Sequence, residues 1–339
     1  MADIINQRKT EHINIVNAKD VELVKNIFNK YQIPYSALPE MDLNEVDCSC
    51  KFLGSKISMP IIIGSMTGGP SLAGDINKNL SLTAQQVKVP LALGSMRVIL
   101  RSPETLKSFQ VKKYCPDVPL IGNIGLVQLN YGVGIEQIKY LIEETKIDAL
   151  FFHINHLQEA IQPEGDVNFS GLLKKLEKVI SQINIPILIK EVGAGIDFDS
   201  AKKLYDIGVK YIDVAGLGGT SWTIVEAYRR SDDLGFLFGN IGINTDTALM
   251  DCSRIKGLKL IAGGGIRNGL DVIKSLMLGA EITSVAKPLL KPALAGIKDC
   301  IATLEKFQKE IRISMFAMGA KNLEEVRAKR LLMRADCCQ

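Results

Sequence analysis

The sequence predicts an α/β protein, a (β/α)8 or TIM barrel with an N-terminal helical extension. Three observations carry this expectation. A short apolar run recurs eight times, and each run is followed by a small or polar turn and then by a helix-period segment. The runs also lack the alternation of a half-exposed sheet. Unbroken apolar strands suit a parallel sheet covered on both faces. Eight of them alternating with helices point to a barrel, with a doubly wound sheet as the alternative.

Residues 1–58 precede the first run. Within them Val21, Val24, Ile27, Phe28 and Tyr31 lie at helical spacing and predict one amphipathic helix. The runs are Ile61–Gly64, Leu91–Gly94, Leu120–Asn123, Leu150–His153, Ile187–Lys190, Tyr211–Ala215, Leu258–Ala262 and Ile282–Ala286. Four are entered through proline (Pro60, Pro90, Pro119 and Pro186), which suits the first residue of a strand. Between runs, Ile135, Ile138, Leu141 and Ile142 share one helical face, as do Leu172, Leu173, Leu176, Val179 and Ile180. Asp199 is the expected cap of a helix that carries Leu204 and stops near Gly208. Leu270, Ile273, Leu276 and Met277 predict another helix, ending at Gly279. The stretch from Ser221 to Lys256 is long for a connection and predicts a mobile loop near Arg229–Asp233. After the last run, Leu294, Ile297, Ile301, Leu304 and Phe307 predict one long helical face. Without a linker or low-complexity tract, a single domain over residues 1–339 is expected.

With 47% hydrophobic and 23% charged residues the composition is globular. The formal charge is only +4 and no basic block occurs, so no nucleic-acid partner is expected. No apolar run approaches the ~20 residues of a membrane span, and the start lacks the pattern of a signal peptide. A cytoplasmic protein without membrane contact is the expectation. The seven cysteines form no C-x-x-C pair and read as buried thiols, apart from the terminal Cys337 and Cys338.

Function in this fold gathers where the strands end. Those ends carry Ser65, Met66 and Thr67, then Ser95, Met96 and Arg97, then Asn123, His153, Asn155, Gln158 and Glu159. Lys190, Thr220, Gly263, Gly264, Gly265, Ala286 and Lys287 follow. Packing alone does not explain small, hydroxyl, amide and charged groups at the ends of apolar strands. The Gly263–Gly265 turn is expected to open the helix after the seventh strand and, with Ala286 and Lys287, to bind phosphate. Lys190 ends an otherwise apolar strand, so it must pair with a neighbour such as Glu191 or meet a ligand anion. The three histidines, His12, His153 and His156, all fall in polar motifs. His156 reads as solvated or packed.

Together the motifs R-K-x-x-H at Arg8–His12, M-T-G-G at Met66–Gly69, G-S-M-R at Gly94–Arg97, K-E-V-G at Lys190–Gly193 and G-G-T-S-W at Gly218–Trp222 accompany a longer block. That block is H-x-N-x-x-Q-E-x-x-Q-P-E-G-D at His153–Asp166. In this combination the chain resembles the FMN-dependent type 2 isopentenyl-diphosphate isomerases from Arg8 to about Lys287. The resemblance implies an isomerase of isoprenoid biosynthesis that interconverts isopentenyl and dimethylallyl diphosphate by a 1,3-allylic proton shift. It implies FMN as cofactor, active when reduced, with NAD(P)H as reductant, and Mg2+. Ser65, Met66, Thr67, Ser95, Asn123, Lys190 and Thr220 would contact FMN, and Gly263, Gly264, Gly265, Ala286 and Lys287 would hold its phosphate. Arg8, Lys9, His12, Ser95, Met96, Arg97, His153, Asn155 and Gln158 would bind substrate. The extension over residues 1–58 would thus contribute substrate-binding residues. Gln158 would orient the substrate or relay protons beside the flavin, and Glu159 would bind Mg2+. A homo-oligomer, commonly a tetramer in the family, is also implied. Two positions depart from the family pattern: Asn244 stands in Gly242–Thr245 where a proline is usual, and Met96 where glutamine is frequent.

Rival readings differ in class. A flavin barrel oxidising 2-hydroxy acids needs a late histidine as base, and none follows His156. A dehydrogenase like that acting on inosinate needs a cysteine in a late loop, whereas Cys252 lies in a helix-period stretch. A non-catalytic barrel binding a phosphorylated ligand would not need Gln158 and Glu159 together with the Arg8–Lys9 clamp.

Overall fold

In a computed structural model of the chain, residues 2–66, 72–230 and 233–333 are described, with side chains over 9–66, 73–230 and 233–333. Eight strands lie where the apolar runs place them. They are β1 Ile61–Ile63, β2 Leu91–Ala92, β3 Leu120–Gly125, β4 Ala149–His153, β5 Ile187–Lys190, β6 Tyr211–Asp213, β7 Lys259–Ala262 and β8 Ala280–Val285. All neighbours are parallel and β8 pairs with β1, which closes the barrel. The helices are α1 Ala2–Ala18, α2 Leu72–Val87, α3 Arg97–Arg101, α4 Ile135–Thr145, α5 His156–Ile161, α6 Leu172–Gln182, α7 Phe198–Asp206 and α8 Trp222–Arg230. They continue with α9 Leu234–Leu237, α10 Thr245–Cys252, α11 Gly269–Met277, α12 Lys287–Ala295, α13 Ile297–Ala317 and α14 Leu323–Ala328. Among the described residues no helix is long and apolar enough to cross a membrane.

The strands bury two separate cores because side chains alternate across a strand. Ile62, Ala92, Ile121, Ala149, Phe151, Leu188, Ile261 and Ile282 form the inner cluster, joined by Phe52 and Ile57. The last two come from the hairpin Cys50–Phe52/Ser55–Ile57, whose side chains plug the barrel. Ile61, Ile63, Leu91, Leu150, Phe152, Ile187 and Ile189 face the other way, into the large cluster shared with the helices. Truncating Phe151 to alanine should cost about 3–5 kcal/mol, since it sits 1% exposed in the closed inner layer. Urea denaturation of the two proteins measures the loss.

The same period of two designates the floor of the site. Two residues beyond Ile62, Ala92, Ile121, Phe151, Leu188 and Ile261 come Gly64, Gly94, Asn123, His153, Lys190 and Gly263. Each therefore faces inward, one layer nearer the carboxyl end, and each lines the same cavity.

Four local expectations are corrected. No helix spans Val21–Tyr31. Asn26 takes left-handed φ 55°, only Ile27–Lys30 make a 3-10 turn, and Tyr31–Gln32 pair with Leu332–Met333. The apolar side chains are buried against separate partners, Val21 beside Ile224 and Val225 and Phe28 in the main core, so their spacing imitates a helix. The helix of the extension is α1, upstream. Asp197 rather than Asp199 caps α7, accepting from the Ser200 backbone N–H at 2.9 Å. The Gly263–Gly265 turn does not open α11, which starts at Gly269 under the Asn268 cap. The predicted long face after β8 is two helices, divided at Gly296, whose φ is 143°. Arg229 and Arg230 belong to α8 and Asp233 precedes α9, while Ser231 and Asp232 lie outside the described residues. Cys48, Cys115, Cys252 and Cys300 are buried thiols and Cys50 is partly covered, while Cys337 and Cys338 lie outside the described residues.

Candidate active site

At the carboxyl ends of the strands lies a cavity of about 280 Å³. One end is a glycine cradle. Gly264 and Gly265 take φ of +87° and +82°, and a Cβ on Gly264 would lie 2.3 Å from the Gly216 carbonyl oxygen. Only glycine serves there. Thr245 Oγ1, fully buried, lies 3.0 Å from the carbonyl oxygens of both Gly263 and Gly264 and ties the turn to the start of α10. Thr220, Ala286, Arg267 and Lys287 line this end too.

The floor is polar and buried. The Lys190 ammonium donates to the Glu191 carbonyl oxygen at 2.6 Å and sits opposite Asp213 in the strand register. The Glu191 carboxylate is turned away, accepting backbone N–H groups from Val192, Gly193, Ala194 and Gly195. Burial pushes the Lys190 amine down and the Asp213 carboxyl up, and each charge partly restores the other. Asn123 Nδ2 donates to Ser65 Oγ at 2.9 Å, so its Oδ1 accepts from His153 Nδ1–H at 2.6 Å. Burial, then the charges of Lys190 and Arg97, pushes the His153 imidazole down to about 3. The imidazole is therefore neutral there.

The other end is an ordered shell of amides and ions. Asn155 Nδ2 donates to Glu159 Oε1 at 2.9 Å and to Gln158 Oε1 at 3.2 Å. Glu159 Oε2 accepts from Gln162 Nε2 at 2.6 Å and from the Asp166 backbone N–H at 2.8 Å. Asp166 in turn pairs with Arg97 and accepts from Gln128 Nε2 at 2.9 Å. The spacing of the His153–Asp166 block thereby acquires a physical reason. The chain folds back after α5 so that Glu159 holds the backbone that presents Asp166, and Asp166 holds Arg97. Gly165 permits the fold-back, since a Cβ there would lie 1.8 Å from the Glu159 carbonyl oxygen.

Helix α1 brings Lys9 and His12 to the rim. Lys9 Nζ donates to the Ser95 carbonyl oxygen at 3.3 Å. His12 Nε2 lies 2.9 Å from Glu226 Oε1, the oxygen that also accepts from Gln158 Nε2 at 3.3 Å. Arg229 Nε donates to the other Glu226 oxygen at 2.6 Å. Burial opposes ionisation of Glu226, but His12 and Arg229 outweigh it and hold the carboxyl near 2. Replacing Glu226 with glutamine should therefore undock α1. Trp222 is the only tryptophan and packs edge-on to His12 at 5.1 Å, so its fluorescence reports the event. A carboxyl held near 2 against an ordinary 4.5 stabilises docking above about pH 4.5 and loses that contribution as pH falls toward 2. Wild-type fluorescence should follow that window, and the glutamine variant should not.

The cavity collects Ser65, Met66, Ser95, Arg97, Asn123, His153, Asn155, Gln158, Glu159 and Lys190 from the sequence-derived set. It also takes Thr220, Gly263, Gly264, Gly265, Ala286, Lys287, Lys9 and His12. Met96 does not reach it. Its side chain is fully buried in the outer core, where a Cβ on Gly122 would meet its Cε at 3.2 Å. Thr67 and the Arg8 side chain lie outside the described residues. Glu22, Asp213, Glu226 and Thr245 escaped sequence reasoning. Asp213 alone had a signal, an acid ending an apolar strand beside Lys190.

These features define a class, a (β/α)8 barrel with a glycine cradle and a buried cation at its floor. The family model described as FMN-dependent dehydrogenase matches residues 155–333. The fold is similar to a mandelate oxidase (TM-score 0.65, 16% identity, 96% of this chain and 90% of that one). It is also similar to a flavocytochrome b2 mutant with pyruvate bound (TM-score 0.67, 20% identity, 91% and 77%). Sequence relatives are far nearer. The chain is 42% identical to an isopentenyl-diphosphate delta-isomerase of Oceanobacillus iheyensis, over 95% of this chain and 95% of that protein. It is 42% identical to one of Methanothrix thermoacetophila over 94% and 91%, and 41% identical to one of Rickettsia bellii over 98% of each. The chain belongs to the isopentenyl-diphosphate delta-isomerase family.

Proposed function

We propose that this protein interconverts isopentenyl and dimethylallyl diphosphate by moving an allylic proton, using FMN, Mg2+ and NAD(P)H as the flavin's reductant. The observation that carries this reading is one cavity with two differently built anion ends, a glycine cradle and a cation-bearing shell around Gln158 and Glu159. Bound in its reduced form, FMN supplies acid–base chemistry at its N5 region. Gly263, Gly264, Gly265, Ala286 and Lys287 would hold the cofactor's phosphate, and Ser65, Met66, Ser95, Asn123, Lys190 and Thr220 would contact the rest of it. Lys9, His12, Ser95, Arg97, His153 and Asn155 would hold the diphosphate ester. Gln158, fixed by Asn155 and Glu226, would orient the double bond.

For Mg2+, Glu159 offers the second lone pair of Oε1, which accepts only from Asn155, and among the described residues no cluster of three His, Cys, Asp or Glu side chains could hold a metal. This donor set fits a hard cation shared with substrate phosphate oxygens and not a resident protein cage. We further read the chain as one cytoplasmic domain that assembles as a homo-oligomer. The exposed apolar side chains Leu234, Phe236, Leu237 and Ile241 support the last point.

The test is an anaerobic NMR assay with FMN, reductant, Mg2+ and isopentenyl diphosphate. Dimethylallyl diphosphate should form only when flavin is reduced and the metal is present. Bound, reduced flavin without isomer formation would sink the proposal.

A further inference from the structure

The segment after α1 crosses the glycine cradle and is clamped at three places. The Ser221 backbone N–H donates to the Val21 carbonyl oxygen at 2.8 Å, and Lys274 Nζ donates to the Phe28 carbonyl oxygen at 2.9 Å. Ile27 packs over Gly218 and Gly265, where added Cβ atoms would lie 2.7 and 3.2 Å from its Cδ1. Between these clamps one carboxylate is aimed at the cavity's cations. Glu22 Oε1 lies 2.7 Å from Arg267 Nη2 and 2.5 Å from Lys287 Nζ.

Arg267 and Lys287 line the cavity, and Glu22 does not. The two cations thus form a layer, with the carboxylate behind and the cradle in front. One of their two charges is offset from behind, and the hydrogen bonding is incomplete. Neither Glu22 Oε1 nor Arg267 Nη2, both buried, has a partner in hydrogen-bond geometry. Arg267 Nη2 thus keeps donor capacity for a second anion on the cavity side, as does the Lys287 ammonium with its three N–H groups. Burial resists the ionisation of Glu22, yet Lys287 and Arg267 prevail and hold its carboxyl below the usual range.

We propose that Glu22 is a built-in counter-anion for the phosphate end, weakening that end's hold on a phosphate monoester. The inference rests on the FMN reading above and extends it to a residue outside the cavity. A phosphate in the cradle and the carboxylate behind the cations are like charges drawing on the same two partners, so removing one strengthens the hold on the other. The segment keeps its three other clamps, and Glu22→Gln removes the charge while retaining shape.

The test is titration of the flavin-free full chain with FMN and, separately, with riboflavin, which lacks the phosphate, followed by flavin fluorescence. Glu22→Gln should bind FMN about tenfold more tightly, with riboflavin unchanged. Glu22→Asp, which keeps the charge but shortens its reach, should fall between and stands in should the glutamine variant fail to fold. Unchanged or weaker FMN binding in the variants overturns the counter-anion role. So does an equal change for riboflavin, since the effect would not pass through phosphate. Failure of the wild type to bind either flavin would sink the cofactor reading and this inference together.

Discussion

Glutamine at Glu159, or alanine at Gln158, should leave flavin content unchanged and lower turnover by about 100-fold or more. The expectation follows from how these side chains are held. Glu159 is 5% exposed and spends both oxygens on Asn155, Gln162 and the Asp166 backbone. A glutamine there offers one acceptor oxygen and one misplaced donor, so either Asn155 or the Asp166 backbone loses its partner. Asp166 then releases Arg97, and the cation that would meet the diphosphate drifts. Gln158 lies in the same chain of contacts and links it to Glu226, to which it donates. Its loss should depress kcat more than it raises KM, whereas Glu159→Gln should move both. Neither residue touches the glycine cradle, so absorbance of the purified variants should still show stoichiometric flavin. Full turnover in both variants would remove this end of the cavity from the reaction.

The second large effect concerns the floor. Lys190→Met should make the bound flavin harder to reduce, by about 30–60 mV, which is about 1.4–3 kcal/mol for a two-electron couple. The physical reason is local. Lys190 is 9% exposed, faces the cavity and is countered by Asp213, so its removal takes away the floor's cation and leaves a buried acid without its counter-charge. Adding Asp213→Asn to Lys190→Met separates the two consequences. The double variant should recover stability against denaturant while the potential stays low, because the flavin still lacks its cation. A potential equal to the wild type in Lys190→Met would place the flavin elsewhere.

Much of this molecule is set by patterns short enough to be read along the chain. An apolar strand covered on both faces needs only its own few residues to declare itself, and eight of them followed by polar turns leave few arrangements that bury every face. From the strand period alone, Asn123, His153 and Lys190 must share the inward layer above Ile121, Phe151 and Leu188. Helical periodicity served equally well for α4 and α6, where one face meets one core. It misled over Val21–Tyr31, because periodicity records that side chains are buried without recording what buries them. It was also silent on Met96, whose neighbours Ser95 and Arg97 face the cavity while it packs in the outer core.

Tertiary structure alone decided the electrostatics of the site. The pair His12–Glu226 spans 214 positions, and Glu22 meets Arg267 and Lys287 from 245 and 265 positions away in sequence (267 − 22 and 287 − 22). No local pattern marks an acid at such a distance, since charge pairing depends on separation in space and not on spacing in sequence. Local patterns along the chain suffice for the barrel, its rim and most of the groups presented there. Folding decided which carboxylate restrains which cation, because only closure of the barrel and docking of the N-terminal segment bring those charges within hydrogen-bond reach.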